Sequence, residues 1–389
     1  MTQRCEDFIL KSNNNPYQPQ QKTPKGKRYF FNKVATLCNH VAAVSLLISY
    51  LAPHVSPQNF YLIAFFGLAY PALVLVNFIF VIYWAFQLRK RAFYSLIIIL
   101  AGWVNIHHYV QFSINNTPDK TKKQIKIMQY NVKVFDLYNW SHNMETRKKM
   151  FDLIKDQSPN VLCMQEFFSR DSSKFDNLDS LIHLQKAKYV HVEYTSSARL
   201  HQHFGIATFS SYPILSRGKI DFGYKSNNVC IYTDVKMGND TVRIYNMHLQ
   251  SIAFAPNDYK YIEDLQSDVE NEDIERSKNI LRRLKLAFIK RAKQSELISA
   301  SISSCHFPII VCGDFNDTPA SYTYHTISQN LNDAFVESGN GLGRSYVGKF
   351  PSFRIDYILH SDKFKAHNFK TIREELSDHF PVVTYLEEN

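Results

Sequence analysis

Residue types able to do chemistry are concentrated at the ends of short apolar runs in this sequence. Asn131 stands near the end of the run 125–134, and Glu166 follows Val161-Leu162-Cys163-Met164-Gln165. Asn246 and His248 lie near the end of the run 241–249, and Asp314 and Asn316 follow Ile309-Ile310-Val311-Cys312-Gly313. Asp356 and the pair Asp378-His379 stand at or before the start of further runs. Asn246 and His248 are two positions apart, as are Asp314 and Asn316, so wherever the chain is extended each pair faces one side. Glu166, Asp314, Asp356 and Asp378, with Asn131 and Asn316, are hard oxygen donors that suit Mg²⁺, Mn²⁺ or Ca²⁺ rather than zinc. His248 and His379 add proton transfer, or a hydrogen bond to a phosphoryl oxygen. The combination fits hydrolysis of a phosphate ester. Singly, each acid is as well explained by turn formation before a strand, and Gly313-Asp314 alone is an ordinary turn. The ordered set carries the reading.

The elements that must position these groups follow from periodicity. Runs at 125–134, 160–164, 204–209, 229–235, 241–249, 307–312, 355–359 and 382–386 read as strands, and 144–156 and a longer stretch within 274–303 read as helices. This is an α/β layout in which several strands of one scaffold offer a carboxylate, amide or imidazole at an end. No internal repeat is visible.

The sequence over about 123–386 resembles the endonuclease/exonuclease/phosphatase superfamily. The matching pieces, in family order, are Gln129-Tyr130-Asn131, Gln165-Glu166, Phe204-Gly205-Ile206-Ala207 with Ser211-Tyr212-Pro213-Ile214, Asn246-Met247-His248-Leu249, Gly313-Asp314-Phe315-Asn316, Arg354-Ile355-Asp356-Tyr357-Ile358 and Ser377-Asp378-His379-Phe380-Pro381. The resemblance implies a four-layer α/β/β/α sandwich of two mixed sheets with the site at one end. It also implies that Glu166, helped by Asn131, holds a divalent metal, Mg²⁺ with Mn²⁺ as the substitute, with Asp314 and Asp378 in the ligand set. Asp314 and Asn316 are then expected to position water and the scissile phosphate. His379, oriented by Asp378, becomes general base or transition-state stabiliser, His248 contacts phosphate or leaving group, and Asp356 orients a catalytic partner.

Upstream of this region the composition changes. Segments 34–52, 60–86 and 93–114 are apolar stretches, each long enough as a helix to cross ~30 Å of hydrocarbon. They are read as about three transmembrane helices occupying 34–116, preceded by a disordered basic tail at 1–33 and followed by the catalytic domain at 117–389. The formal charge of +10 divides along the chain as +5 for 1–33, +3 for 34–116 and +2 for 117–389. A near-neutral C-terminal part carries no footprint of tight duplex binding. Arg89-Lys90-Arg91 between the second and third stretches places that loop and the tail in the cytoplasm by the positive-inside rule. Three crossings of the cytoplasmic membrane put the catalytic domain on the extracytoplasmic side. If the third stretch, weakened by His107, His108 and Gln111, lies at the interface instead, the domain stays inside. His107 and His108 read as interfacial residues rather than metal ligands.

Six Cys in 389 residues without zinc spacing exclude a disulfide framework and a structural zinc. Cys163 and Cys312 read as buried thiols. The segment 263–293, with seven acids at 263–275 and eight bases at 276–293, reads as a solvated charged helix or, alternatively, a headgroup- or substrate-binding one. The whole describes a membrane-anchored, divalent-metal-dependent phosphoesterase with phosphodiester cleavage favoured, acting as a nuclease. Its partners are the phosphate-ester substrate and the bilayer, with no protein partner in view. The alternatives are a phospholipid or inositol phosphate phosphoesterase and, in another class, a catalytically inactive membrane-tethered binding protein.

Overall fold

The computed structural model describes residues 27–113, 122–171, 173, 175–185, 188–198, 201–224, 226–252, 271–347 and 353–389. Residues 1–26 of the expected tail, Arg199 and the acidic stretch 263–270 lie outside them. Strands are numbered in chain order: β1 Val110–Phe112, β2 Gln124–Asn131, β3 Val161–Arg170, β4 Tyr189–Ala198, β5 Gln202–Ser210, β6 Ile214–Ile220, β7 Val229–Met237, β8 Asp240–His248, β9 Ile309–Asp314, β10 Asn332–Asp333, β11 Asn340–Leu342, β12 Asp356–His360, β13 Phe364–Thr371 and β14 Val382–Glu388.

Two six-stranded sheets are formed, in the orders β13-β14-β2-β3-β5-β4 and β10-β12-β9-β8-β7-β6. Each holds one parallel pair, β2 with β3 and β8 with β9, among antiparallel neighbours, so both sheets are mixed. Helices cover the outer faces. Thr146–Gln157 spaces Met150, Phe151, Leu153 and Ile154 at helical intervals and lays them on the first sheet, together with Leu181 of Asn177–Gln185. Ile298 and Ile302 of Asn271–Ser303 and Tyr324 and Ile327 of Tyr322–Ser328 cover the second. This is the expected four-layer sandwich.

Alternation along the strands explains where its polar end lies. On β2, Ile125 and Ile127 point between the sheets while Met128 and Tyr130 meet the outer helices. The same inward face continues into Gln129 and Asn131. On β3 it runs Val161, Cys163, Gln165, on β8 Val242, Ile244, Asn246, His248, and on β9 Ile310, Cys312, Asp314. On β12, antiparallel to β9, Asp356 comes first and Ile358 second. The space between the sheets is therefore apolar at one end and lined by amides, carboxylates and imidazoles at the other. Each buried Val or Ile in the apolar half stabilises the stack by roughly 1.5–3 kcal/mol, which is the scaffold on which the polar half is held.

The N-terminal helices pack the other way out. Lys27–Ser49, Leu62–Leu68, Tyr70–Phe86 and Ala92–Ala101 bury polar contacts among themselves. Asn39 donates to Ser95 Oγ at 2.5 Å and accepts from Trp84 Nε1 at 2.9 Å, and Asn77 donates to the Ala42 carbonyl at 3.0 Å. Their outer faces carry bare apolar side chains, with Leu37, Val41, Phe78, Ile79, Ile97 and Val104 all exposed. Tyr29–Ser49 is long and apolar enough to cross a membrane. The stretch 60–86 forms two helices bent by 64° at a break rather than one. The stretch 93–114 differs from the expected single helix. It forms Ala92–Ala101 and Trp103–His107, interrupted at Gly102, and then β1, which pairs with β11 of the sandwich. Polar Asn105, His107, His108 and Gln111 stop the apolar period there.

Candidate active site

The polar halves of β2, β3, β8, β9 and β12 converge on the carboxylate of Asp314, which is 1% exposed. Asn131 Nδ2 lies 3.0 Å from Asp314 Oδ2, His379 Nε2 3.6 Å and His248 Nε2 3.7 Å. Gly313 lets the strand reach this point, because a Cβ there would stand 2.4 Å from the Met247 carbonyl oxygen on β8. Burial pushes the Asp314 carboxyl up to about 6, with Asp356 adding to the rise while His379, His248 and the Asn131 amide oppose it.

Glu166 reaches the same place by a different device. The β3–β5 register shifts between Met164 and Phe167, and Glu166 occupies this bulge with φ of 49°. Phe167 returns to the core at once, so the bulge re-aims only the glutamate, whose side chain is 36% exposed. Its Oε1 lies 3.3 Å from Asn131 Nδ2 and 3.8 Å from His248 Nε2. Asn131 thereby joins the two carboxylates.

His379 is held differently from the expectation. Its Nδ1 meets Asp356 Oδ2 at 2.9 Å, leaving Nε2 toward Asp314. Asp378 instead pairs with Lys133 Nζ at 2.9 Å and accepts from Ser377 Oγ at 3.3 Å. The carboxylate that meets His379 is therefore Asp356, while Asp378 lies in the bend before β14 with its carboxylate taken by Lys133. Burial works against charge on His379, but Asp356 and Asp314 outweigh it and hold the imidazolium well above its ordinary range. Burial likewise opposes the charge on Asp378, yet His379 and Lys133 keep its carboxyl below the usual carboxylate range. Asn316 departs from alternation as well. Its φ is 53°, its N–H donates to Asp314 Oδ1 at 2.8 Å and its Nδ2 donates to the Leu249 carbonyl at 3.1 Å.

Beneath these groups runs a chain of buried amides to which sequence reading assigned no role. Gln129 Nε2 donates to Asp356 Oδ1 at 2.8 Å and to Gln165 Oε1 at 2.7 Å. Gln165 Nε2 donates to Asn246 Oδ1 at 2.7 Å, and Asn246 Nδ2 donates to the Ala207 carbonyl at 2.9 Å. The chain crosses between the sheets and fixes Asp356, which fixes His379. Its signal was the continuation of period two past the apolar residues. Lys133 was missed too, since it sits in a turn where Lys133 to Asp136 all have positive φ.

Asp314, Asp356 and His379 each present a ligand atom within 4.8 Å of the others. Both oxygens of Asp356 already accept hydrogen bonds, so this trio is a relay more than a cation cage. Cys163 and Cys312 are free, buried thiols, as expected.

A two-sheet sandwich with carboxylates, amides and two imidazoles gathered at one end is the architecture of a phosphoesterase class. Residues 128–379, more than half of the chain, match the model of the endonuclease/exonuclease/phosphatase family, and the chain belongs to that family. It is a hydrolase acting on phosphate esters. Residues 32–109 match a domain of unknown function (DUF8431). Among solved structures, an endonuclease/exonuclease/phosphatase from Bacteroides vulgatus is similar with a TM-score of 0.51 at 17% identity, covering 69% of this chain and 100% of that one. A family protein from Bacteroides thetaiotaomicron is similar with a TM-score of 0.50 at 13% identity, covering 69% and 96%. No curated protein matches the sequence.

Proposed function

We propose that the protein is a membrane-anchored, divalent-metal-dependent phosphodiesterase with its catalytic centre at Asp314. The observation that carries this reading is the approach of Asn131, His248 and His379 to one buried carboxylate oxygen. Glu166 would hold Mg²⁺ or Mn²⁺, leaving Asp314 free to act on the attacking water. Asn131 holds Glu166 and Asp314 together through its Nδ2, while its Oδ1 accepts from the Lys133 N–H at 3.1 Å and so fixes the orientation of the amide. When bound, the cation supplies charge that offsets the negative charge building on the phosphoryl oxygens.

The chain's own groups do the rest. Asp314, with a carboxyl near about 6, accepts the proton of the attacking water. His379, kept protonated by Asp356 and Asp314, directs its Nε2–H at the developing oxyanion. His248 faces the same space from β8 and contacts phosphate or leaving group, and Asn316 marks its rim. Asp378 keeps Lys133 beside the mouth. Retention of every polar residue in the seven motifs speaks against the inactive binding-protein reading. The direct test measures hydrolysis of bis(p-nitrophenyl) phosphate and of DNA, RNA, phospholipid and inositol phosphates by the full chain. Loss of all activity with EDTA and return with Mg²⁺ or Mn²⁺ is expected. Full activity after exhaustive chelation refutes the mechanism.

Membrane anchoring is supported by helices whose polar contacts are inside and whose apolar side chains are outside, the reverse of a water-soluble bundle. The sandwich is fastened at the end where β1, Tyr109 and Gly67 lie. Arg89, Lys90 and Arg91 lie at the other, where Asn32 meets Gln87 and Arg91 meets Thr36. With the basic end inside, the catalytic domain lies on the extracytoplasmic side. A phospholipid phosphoester is the second reading, favoured by this attachment: Ala320, four residues beyond Asn316, packs against Ala43, Leu46 and Tyr70 of the helices.

A further inference from the structure

The charged segment left unused by the seven motifs forms most of Asn271–Ser303, a helix of 33 residues. Between Arg276 and Lys293 it carries eight cations and no acid. One face buries Leu284, Ala287, Phe288 and Ala292. The other leaves Arg282, Lys290 and Lys293 exposed, beside Leu286 and Leu297, which are 51% and 36% exposed. Among the described residues Arg282 and Lys293 have no ion-pair partner.

This helix also clasps the N-terminal helices. Lys285 Nζ stands 4.1 Å over the Tyr61 ring, Phe288 meets Phe65 edge-on at 5.2 Å, and Glu296 accepts from Gln58 at 2.8 Å and from Ser56 at 3.3 Å. The clasped segment 56–68 lies where the chain bends by 64° before Tyr70–Phe86, and its own Phe60 and Leu62 are exposed. An acid-free row of cations with bare leucines is thus continuous with the segment that leads into the apolar helices. Lys and Arg stems and leucines of this kind enter the acyl boundary while the charges stay among headgroups.

We propose that the face formed by Arg282, Leu286, Lys290 and Lys293 is a docking surface for anionic lipid headgroups, which seats the catalytic domain on the bilayer that the N-terminal helices enter. Charge complementarity selects the occupant, since each Lys or Arg at the surface favours an anionic over a zwitterionic leaflet by about five-fold. The proposal rests on the membrane reading given above.

The test reconstitutes the full chain in phosphatidylcholine bilayers with and without about 30 mol% phosphatidylglycerol, a fraction that gives a negative surface potential, using lipids brominated near the headgroup or along the acyl chain. With Trp140 of the catalytic domain replaced by Phe, the emission of Trp84 and of Trp103, the latter 54% exposed, reports membrane residence of the N-terminal helices: absence of quenching by acyl-brominated lipid refutes the membrane reading itself. A Leu286→Trp chain should show additional quenching by headgroup-brominated lipid only when phosphatidylglycerol is present. The triple variant Arg282→Glu/Lys290→Glu/Lys293→Glu should lose that additional quenching while Trp103 quenching and hydrolysis of bis(p-nitrophenyl) phosphate persist. Quenching of Trp103 without any added signal from Leu286→Trp in anionic bilayers overturns the docking surface and leaves the anchor standing. Loss of oligonucleotide binding in the triple variant, with lipid quenching unchanged, assigns the face to nucleic acid and equally overturns it.

Discussion

Two carboxyl groups, those of Asp314 and Asp356, decide the protonation of the centre, and pH separates their effects. Asp314 must be ionised to accept a proton and His379 protonated to stabilise the oxyanion. Turnover should therefore rise through about pH 6 and fall only well above the ordinary imidazole range. Asp356→Asn removes the charge that does most to raise His379, so its alkaline limb should move to lower pH; an unmoved limb would deny Asp356 this role. His379→Ala and His248→Ala should each lower turnover by about 10²–10⁴-fold; His248→Ala should leave the melting temperature nearly unchanged, whereas His379→Ala strands the buried Asp356 carboxylate and should lower it. Glu166→Gln keeps shape but loses charge, and is expected to lower turnover by at least ~100-fold at limiting metal, about 2.7 kcal/mol of transition-state stabilisation. Excess Mg²⁺ should recover part of that loss. At this scale the sequence singled out Asn131, Glu166, His248, Asp314, Asp356 and His379, and their side chains lie together because strand ends gather polar groups. The resemblance implied Asp378 as the carboxylate orienting His379, whereas the contact is with Asp356, more than twenty residues earlier in the chain, a proximity that only the fold creates.

Among elements, the strands carry information in their second halves. Gln129, Gln165 and Asn246 continue the inward faces of β2, β3 and β8, and their amides make a buried chain between the sheets. Gln165→Leu leaves the Asn246 oxygen without its donor and Gln129 without its acceptor, and should cost about 1–3 kcal/mol for each buried group stranded, read as a fall in chemical-denaturation midpoint. Its kcat should fall too, because Asp356 loses its support. Gly313→Ala would press a methyl group onto the Met247 carbonyl oxygen, and separation of β8 from β9 is expected to cost about 1–3 kcal/mol. A wild-type melting temperature for Gly313→Ala would show that the strands yield without strain. The long strands and the helices at 146–157 and 271–303 were legible from periodicity. β4, β6 and β13 were not, because each lies at the edge of its sheet and mixes polar with apolar side chains. The last four residues of β4, Thr195 to Ala198, are all small and offer no apolar period to read.

For the whole molecule, the apolar composition of 34–114 was plain, but its geometry was not. Hydropathy registers side chains and is blind to the turn at Ala69, the interruption at Gly102 and the entry of 110–112 into a sheet. If the N-terminal helices are membrane-embedded, the wild-type chain should stay with membranes through alkaline carbonate. Reporters fused after Arg91 and after residue 116 should signal from opposite sides. A cytoplasmic signal at both would return the domain to the cell interior.

The pairing of Val110–Phe112 with Asn340–Leu342, together with the His108 to Tyr324 hydrogen bond at 2.9 Å, means that the hydrolase sandwich is bolted to the N-terminal helices rather than hung from them. A protease site placed between residues 114 and 121 should therefore leave the two fragments together on gel filtration in detergent. If those helices lie in a bilayer, such an enzyme has no reach: it waits at a fixed height instead of sweeping the solution, and its search for substrate becomes two-dimensional, set by lateral mobility.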